Sequence, residues 1–411
     1  MLRLAAVVTV LVIYSLLSRK LEERLSGPIF FMTVGIVISE PFLGWFSLAT
    51  GTGLVEALFK TALALVLFIE AVRLGMHDIE ERRLPLRLLA AGMPLVMIIG
   101  VLVASLMLPI LEFWEAAVLA ALLAPTDASL GLPVISNRRV PERIRNALVI
   151  EGGLNDGLGV PFALFAAGMA EIAMGEEAGP RIIELLVSQI GVAVLTGVAV
   201  GWVSAKLVGS AQRRTWVRTR WARFSLLGIA AIAFALAEGL HGSGFIAVWV
   251  AGLVFGIASG SKTEQEREFS EDESTLLVML SFLVFGATAV GPVLVTVRWD
   301  VVVFGLLYLA VVRPIAVALS LIGTQERGSS ILFLGWFGPR GLPSLVLALI
   351  LLNEGVRLPH GELVISVVTI TVALSVYLHG LTATPYAERY AVWTEQKRGT
   401  NRLTSDAPGD V

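Results

Sequence analysis

Residues 122–129 read Leu-Leu-Ala-Pro-Thr-Asp-Ala-Ser, and residues 151–157 read Glu-Gly-Gly-Leu-Asn-Asp-Gly. Each stretch places an aspartate, Asp127 or Asp156, inside an otherwise apolar segment. A charged side chain at the centre of a bilayer costs about 3 kcal/mol on insertion scales, so an acidic residue there usually marks an ion or proton pathway. The two stretches therefore predict a membrane protein whose functional site contains both carboxylates.

The composition of the chain agrees with this interpretation and excludes several other classes of protein. Of 411 residues, 56% are hydrophobic, and the mean hydropathy is +0.82. The net charge of −2 argues against nucleic-acid binding. The chain has no cysteine and only 4 histidines, so we expect no disulfide and no transition-metal site. No phosphate-binding Gly-x-x-x-x-Gly-Lys-Ser/Thr loop is present, and no cofactor is expected.

Repeated apolar runs predict an all-α integral membrane protein with thirteen spanning helices. The predicted spans are approximately 4–17, 28–45, 54–74, 86–108, 113–135, 143–170, 183–208, 222–240, 243–259, 275–297, 300–322, 329–352 and 361–384. The first run lacks a clear cleavage site and is followed by Ser18-Arg19-Lys20, so we interpret it as a span rather than a signal peptide. Residues 385–411 are expected to form a short, partly disordered cytoplasmic tail.

The distribution of basic residues predicts the orientation of these spans. With the N-terminus outside, most of the 31 Lys and Arg residues fall in cytoplasmic loops and in the tail. Cytoplasmic loops normally carry the excess of Lys and Arg. An odd number of spans and a cytoplasmic C-terminus are therefore expected.

Thirteen spans also permit an inverted repeat, in which spans 1–6 correspond to spans 8–13 and span 7 connects them. Span 5 then corresponds to span 12. Both contain residues that interrupt helices, Pro125-Thr126-Asp127 in span 5 and Gly338-Pro-Arg340-Gly-Leu-Pro in span 12. Paired interrupted helices at matching positions are the best sequence indicator of a transporter binding site.

Opposite charges at these two breaks suit opposite helix ends. Asp127 would be favoured beside the positive N-termini of half-helices and could also bind a cation, together with the Thr126 hydroxyl. Arg340 would be favoured beside half-helix C-termini. The alternative is that Asp127 has a purely structural role as an N-cap.

The second stretch supplies the carboxylate that we expect to carry the chemistry. Asp156 lies near the middle of span 6, where it could hold either a proton or a monovalent cation, and a buried structural role is the alternative. Asn155 and Glu151 share a different face of that helix. Arg313 in span 11 needs a counter-charge at depth, and Glu151 is the predicted partner. The alternative is that the Arg313 side chain faces a water-filled vestibule.

At this point the chain resembles a known family, the monovalent cation/proton antiporters of the sodium/proton exchanger branch, in its prokaryotic form. The resemblance covers nearly the whole membrane region. It depends on Pro125-Thr126-Asp127, Glu151-Gly-Gly-Leu-Asn155-Asp156, Arg313-Pro314 and Gly338-Pro-Arg340-Gly341, in that order and spacing. Phe68-Ile69-Glu70-Ala71 is similar to a further segment of the family.

The resemblance implies a fold with crossed discontinuous helices and two subdomains. The mobile core would contain helices from roughly 86–170 and 300–384, and the dimerisation helices would come from roughly 1–74 and 183–297. It implies a homodimer in the cell inner (plasma) membrane that exchanges Na⁺, Li⁺ or K⁺ for H⁺, most simply Na⁺. Asp156 would alternate between proton and cation, with Asp127 and Thr126 completing the cation site. The Asn155-Asp156 pair is similar to that of electroneutral relatives.

One position departs from the family pattern. Many relatives have a serine directly after the glutamate, whereas this chain has Gly152. The preference among monovalent cations therefore stays open. A cation channel or organic-solute transporter is the main alternative function. An intramembrane aspartyl protease is a remote one, because its Tyr-Asp and Gly-x-Gly-Asp motifs are missing.

Overall fold

The computed structural model describes residues 2–22, 25–45, 53–75, 83–175, 179–216, 219–259, 264–353 and 358–405. Within these ranges the chain forms fifteen helices and no strand. They are α1 (Leu2–Glu22), α2 (Gly27–Ile38), α3 (Gly53–Gly75), α4 (Arg83–Met107), α5 (Phe113–Leu122), α6 (Leu132–Ile135), α7 (Glu142–Ala173), α8 (Gly179–Arg213), α9 (Thr219–Gly239), α10 (Gly244–Ser259), α11 (264–296), α12 (Trp299–Ser320), α13 (Gly328–Trp336), α14 (Leu342–Asn353) and α15 (Gly361–Ser405). The predicted all-α class is confirmed.

The helices follow the predicted spans in order, with spans 5 and 12 each divided in two. Six helical stretches are long and apolar enough to cross a membrane by length and composition: Arg83–Met107, Glu142–Ala173, Val187–Arg213, Ser274–Thr296, Trp299–Ser320 and Gly361–Gln396. The total number that crosses stays a prediction. Spans 8 and 9 are separated by a turn in which His241 adopts a left-handed backbone with φ of 60°.

Three of the long helices contain a π-helical turn, and each turn has the same local cause. The turns are Leu88–Gly92, Gly286–Val290 and Tyr308–Val312. In each case a proline follows two residues after the turn, at Pro94, Pro292 and Pro314. Proline lacks the N–H that would bond to the preceding helical turn, and a π-turn absorbs the mismatch without ending the helix.

The helices pack in two groups on either side of α7. In one group, α10 packs against α3 and α8, and α2 packs against α11. In the other group, α4 packs against α5, and α12 packs against α13 and α15. Because α7 contacts α3 and α8 on one side and α5 on the other, its residues 151–157 lie where the two groups meet.

Residues 385–405 of the predicted tail continue α15. Tyr390 anchors this extension, because its ring stacks on Phe333 at 4.2 Å and its hydroxyl lies 2.8 Å from Ser330 Oγ. Farther along, Glu395 pairs with Arg139 at 3.1 Å. Residues 406–411 lie outside the described residues.

Candidate functional site

The first break interrupts the predicted fifth span. Helix α5 ends at Leu122, the next five residues are not helical, and a 3₁₀ turn at Ala128–Gly131 leads into α6. Pro125 cannot donate a helical hydrogen bond, so the chain leaves the helix in this stretch. Thr126 and Asp127 follow it and are 4% and 3% exposed.

The second break interrupts the predicted twelfth span. Helix α13 ends at Trp336, residues 337–341 are unwound, and α14 begins at Leu342. Gly338, Pro339 and Gly341 supply the backbone freedom and the missing donor that this geometry needs. Arg340 projects from the break and is 1% exposed.

The two breaks lie against each other and exchange hydrogen bonds. The backbone N–H of Asp127 donates to the carbonyl of Pro339 at 2.7 Å. In return, Asp127 Oδ2 accepts from the backbone N–H of Leu342 at 2.9 Å. A side chain at Gly341 would overlap the Asp127 carboxylate, so glycine is required for this approach. The carboxylate of one broken helix therefore caps the positive N-terminus of the other.

Arg340 makes the complementary contact in the opposite direction. Its Nη1 donates to the carbonyls of Ala124 at 2.6 Å and Pro125 at 2.9 Å, just beyond the C-terminus of α5. A cation is favoured at the negative end of a helix. Each break thus supplies the charge that the end of the other broken helix needs.

Helix α7 passes beside this crossing and contributes Asn155. The Asn155 amide donates to Thr126 Oγ1 at 2.8 Å, and the backbone N–H of Thr126 donates to Asn155 Oδ1 at 3.1 Å. One turn farther along, a side chain at Gly159 would collide with the ring of Pro125. The small residues of α7 therefore allow the first break to contact this helix directly.

Asp156 lies next to this contact and is 4% exposed. Its Oδ1 accepts no hydrogen bond from the part of the chain that the structure describes. The charges that act on Asp156 are those of Glu70 and Asp127, which repel it, and Arg340, which attracts it. A buried carboxylate oxygen without a protein donor is available to a proton or to a cation that prefers oxygen ligands.

Two residues near Asp156 were not predicted to lie there. Glu70 on α3 is buried, and its side chain lies 3.2 Å from the position that a Cβ on Gly153 would occupy. Trp249 on α10 is the second such residue. Its ring packs on Gly157, at 3.3 Å from the equivalent position. No periodicity in the sequence relates α3 or α10 to α7, so only the three-dimensional packing reveals these neighbours.

The predicted Glu151–Arg313 pair is present, and it lies against the second break, where a side chain at Gly338 would overlap the Arg313 guanidinium. Arg313 Nη1 and Nη2 donate to the two Glu151 oxygens, each at 2.9 Å, and both side chains are about 5% exposed. Arg313 also lies near the carbonyls of Leu334 at 3.4 Å and Phe337 at 3.5 Å. The pair therefore fastens α7 and α12 to the C-terminal end of α13.

The site contains carboxylate, hydroxyl, amide and carbonyl oxygens. No group of three His, Cys, Asp or Glu side chains suited to a metal ion occurs in the part of the chain that the structure describes. Lys60 on α3 is paired with Glu56, four residues earlier on the same helix, at 2.5 Å. The arrangement provides hard oxygen ligands around one carboxylate, with its positive charges held at helix ends.

Two crossed, interrupted helices with buried carboxylates in an all-helical, apolar bundle define a secondary transporter, because such helices build the binding sites of that class. The chain matches the model of the sodium/hydrogen exchanger transmembrane family over residues 6–389, and it belongs to this family. The family consists of secondary transporters and not of enzymes.

Characterised relatives are similar in sequence over most of this chain. It is 25% identical over 388 residues to the K(+)/H(+) antiporter NhaP of Alkalimonas amylolytica, covering 93% of this chain and 66% of that protein. It is 25% identical over 382 residues to the K(+)/H(+) antiporter NhaP2 of Shewanella oneidensis, covering 91% and 64%. The chain thus spans slightly less than two thirds of the length of these relatives.

The fold is shared with a solved structure, that of the sodium proton antiporter MjNhaP1 from Methanocaldococcus jannaschii. The TM-score is 0.75 at 21% identity, and the match covers 92% of this chain and 99% of the other. At this identity the similarity concerns the fold, and it agrees with the all-helical membrane antiporter architecture expected from the sequence.

Proposed function

We propose that the protein exchanges a monovalent cation for a proton across a membrane, with Asp156 binding either the cation or the proton. The observation that carries the proposal is the buried Asp156 carboxylate, whose Oδ1 has no hydrogen-bond donor among the described residues. A carboxylate that cannot hold both ligands at once couples their movements, since one must leave before the other binds.

The surrounding residues have separate roles in this proposal. Asp127 and Thr126 complete the cation site at the first break, Asn155 orients Thr126 through its 2.8 Å hydrogen bond, and Glu70 adds a second buried carboxylate. Glu151, Arg313 and Arg340 do not bind the cation. Arg340 donates to carbonyls at the end of α5, and the Glu151–Arg313 pair joins α7 to α12. These contacts hold the two breaks in position.

The identity of the cation is the least constrained part of the proposal. The relatives described above are named as K(+)/H(+) antiporters, and the solved structure is that of a sodium proton antiporter. Gly152 offers no hydroxyl where the family resemblance suggests one. We propose Na⁺ first, with Li⁺ and K⁺ as competitors, and one cation for one proton because Asn155 carries no charge.

The proposed architecture has thirteen spans with the N-terminus outside and the C-terminus in the cytoplasm. Its inverted repeat is supported by spans 4 and 11, which occupy matching positions and both contain a π-turn before a proline. On the basis of the two packing groups beside α7, we propose a core and a dimerisation domain. We propose a homodimer in the plasma membrane that serves pH and cation homeostasis.

The test is reconstitution of the purified protein into liposomes that contain a pH-sensitive dye. Addition of Na⁺, Li⁺ or K⁺ should collapse an imposed pH gradient, and Asp156→Asn should abolish this response while the protein remains folded. Asp300→Asn is the matched control, because Asp300 pairs with Arg298 at the exposed start of α12. Full exchange by Asp156→Asn would remove this residue from the mechanism. Cation flux without proton movement would indicate a channel.

A further inference from the structure

Two side chains of α15 contact the second break and have no role in the proposed mechanism. Ser375 and His379 are one helical turn apart and are 0% and 1% exposed. Both side chains face the break between α13 and α14, where Ser375 contacts Arg340 and His379 contacts Trp336. Within a membrane, each backbone polar group of an interrupted helix needs an internal partner.

These two side chains satisfy both edges of the break. Ser375 Oγ accepts the backbone N–H of Arg340 at 2.6 Å. His379 Nε2 lies 3.0 Å from the carbonyl of Trp336, the last residue of α13. The Trp336 indole N–H also donates to Thr382 Oγ1 at 3.0 Å, so α15 holds the same residue through its side chain.

The pattern of donors and acceptors requires a hydrogen on Nε2 of the imidazole. The carbonyl of Trp336 can only accept, so Nε2 must carry a hydrogen. Ser375 Oγ accepts from Arg340 and still has its own hydrogen to donate, and it lies 3.1 Å from His379 Nδ1. A neutral ring therefore has Nδ1 as an acceptor, although the Ser375 carbonyl at 3.0 Å could receive a hydrogen from Nδ1 in the protonated ring.

We propose that His379, neutral and with its hydrogen on Nε2, is a positioning residue that fixes the second break through Trp336 and Ser375. The inference deepens the proposed function and depends on it for its transport readout. By holding the Arg340 backbone, the pair sets the guanidinium that donates to the Ala124 and Pro125 carbonyls. Those carbonyls directly precede Thr126, so the support reaches the cation site.

The hydrogen position can be measured without any transport assay. The chain has only 4 histidines, so a protein labelled with ¹⁵N-histidine gives few signals, and loss of one in His379→Gln assigns it. At neutral pH the shifts should be those of a neutral ring with hydrogen on Nε2. A hydrogen on Nδ1, or a doubly protonated ring, would overturn the inference whether or not the protein exchanges cations.

The transport test uses two amides that mimic different ring nitrogens. In His379→Gln the amide nitrogen can replace Nε2 and still donate to Trp336, whereas in His379→Asn it reaches only the position of Nδ1. We expect the Gln variant to keep the wild-type apparent KM for the cation. The Asn variant and Ser375→Ala should raise that KM about tenfold, because each leaves a buried backbone group unpaired.

A packing role would give a different result. Both amides would then lower the thermal stability together and leave the KM of the surviving protein unchanged. Ser281→Ala is the matched control, since Ser281 is equally buried and, among the described residues, donates to the Leu277 carbonyl of its own helix. Equal behaviour of the Gln and Asn variants, intact or impaired, would refute the positioning role. If the wild-type protein shows no cation/proton exchange in liposomes, the proposed function itself is refuted.

Discussion

The Glu151–Arg313 pair offers the sharpest quantitative test of how the site is held together. Replacing Arg313 by Met removes both 2.9 Å hydrogen bonds and leaves the Glu151 carboxylate buried at about 5% exposure. At an effective dielectric constant of about 20, two unit charges 4 Å apart attract by about 4 kcal/mol. Breaking a buried pair by removing one partner typically costs about 3–5 kcal/mol.

A double-mutant cycle separates the pairing from the packing of each side chain. We expect Arg313→Met to lower the free energy of unfolding by about 3–5 kcal/mol. Addition of Glu151→Gln should restore a large part of this loss, because no uncompensated charge then remains. The coupling free energy should be at least about 2 kcal/mol.

The assay is unfolding in mixed micelles by increasing the SDS fraction, followed by the fluorescence of the 9 tryptophans. The control cycle uses Arg298 and Asp300, which pair on the surface with side chains 63% and 34% exposed. Exposed pairs contribute about 1 kcal/mol or less. A coupling in the Glu151–Arg313 cycle no larger than that of the control would refute the argument that the buried pair fastens α7 to α12 and α13.

Two further predictions concern the crossing and the stoichiometry. Gly341→Ala should displace the Asp127 carboxylate, remove the cap of α14 at a cost of about 1–2 kcal/mol and impair exchange. Gly328→Ala, where the added Cβ would have open space around it, should leave exchange intact, and equal effects of the two changes would contradict the close approach. If one cation exchanges for one proton, the rate in liposomes should not respond to an imposed membrane potential, and a strong response would contradict the role given to uncharged Asn155.

Local chemistry made part of this site predictable from the sequence. Pro125 and the Gly338-Pro339 dipeptide disfavour regular helix, so the sequence predicts an interruption at both places. Because Arg313 lies in an apolar span, its charge requires a nearby counter-charge. Glu151 provides it, with Oε1 at 2.9 Å from Arg313 Nη1. These inferences succeeded because a proline or an isolated buried charge constrains its surroundings whatever the rest of the fold does.

Contacts between distant segments were not predictable in the same way. Nothing in the sequence indicates that Asp127 caps α14 rather than its own helix, because the bond to Leu342 spans 215 residues. The sequence does not indicate that Glu70 lies beside Gly153 of α7, and no motif connects His379 with Trp336. Such pairings depend on how whole helices pack, which periodicity within one helix does not encode.

The mutual capping of the two breaks has a consequence for how the chain matures. Ribosomes deliver α5 and its Asp127 to the bilayer long before the partner amide of Leu342, 215 positions later, has been synthesised. Until then the nascent first half holds a carboxylate and a frayed helix end that lipid cannot solvate. Closure of the crossing must therefore be a late event in biogenesis, and a truncated first half should be a preferred substrate for membrane quality control.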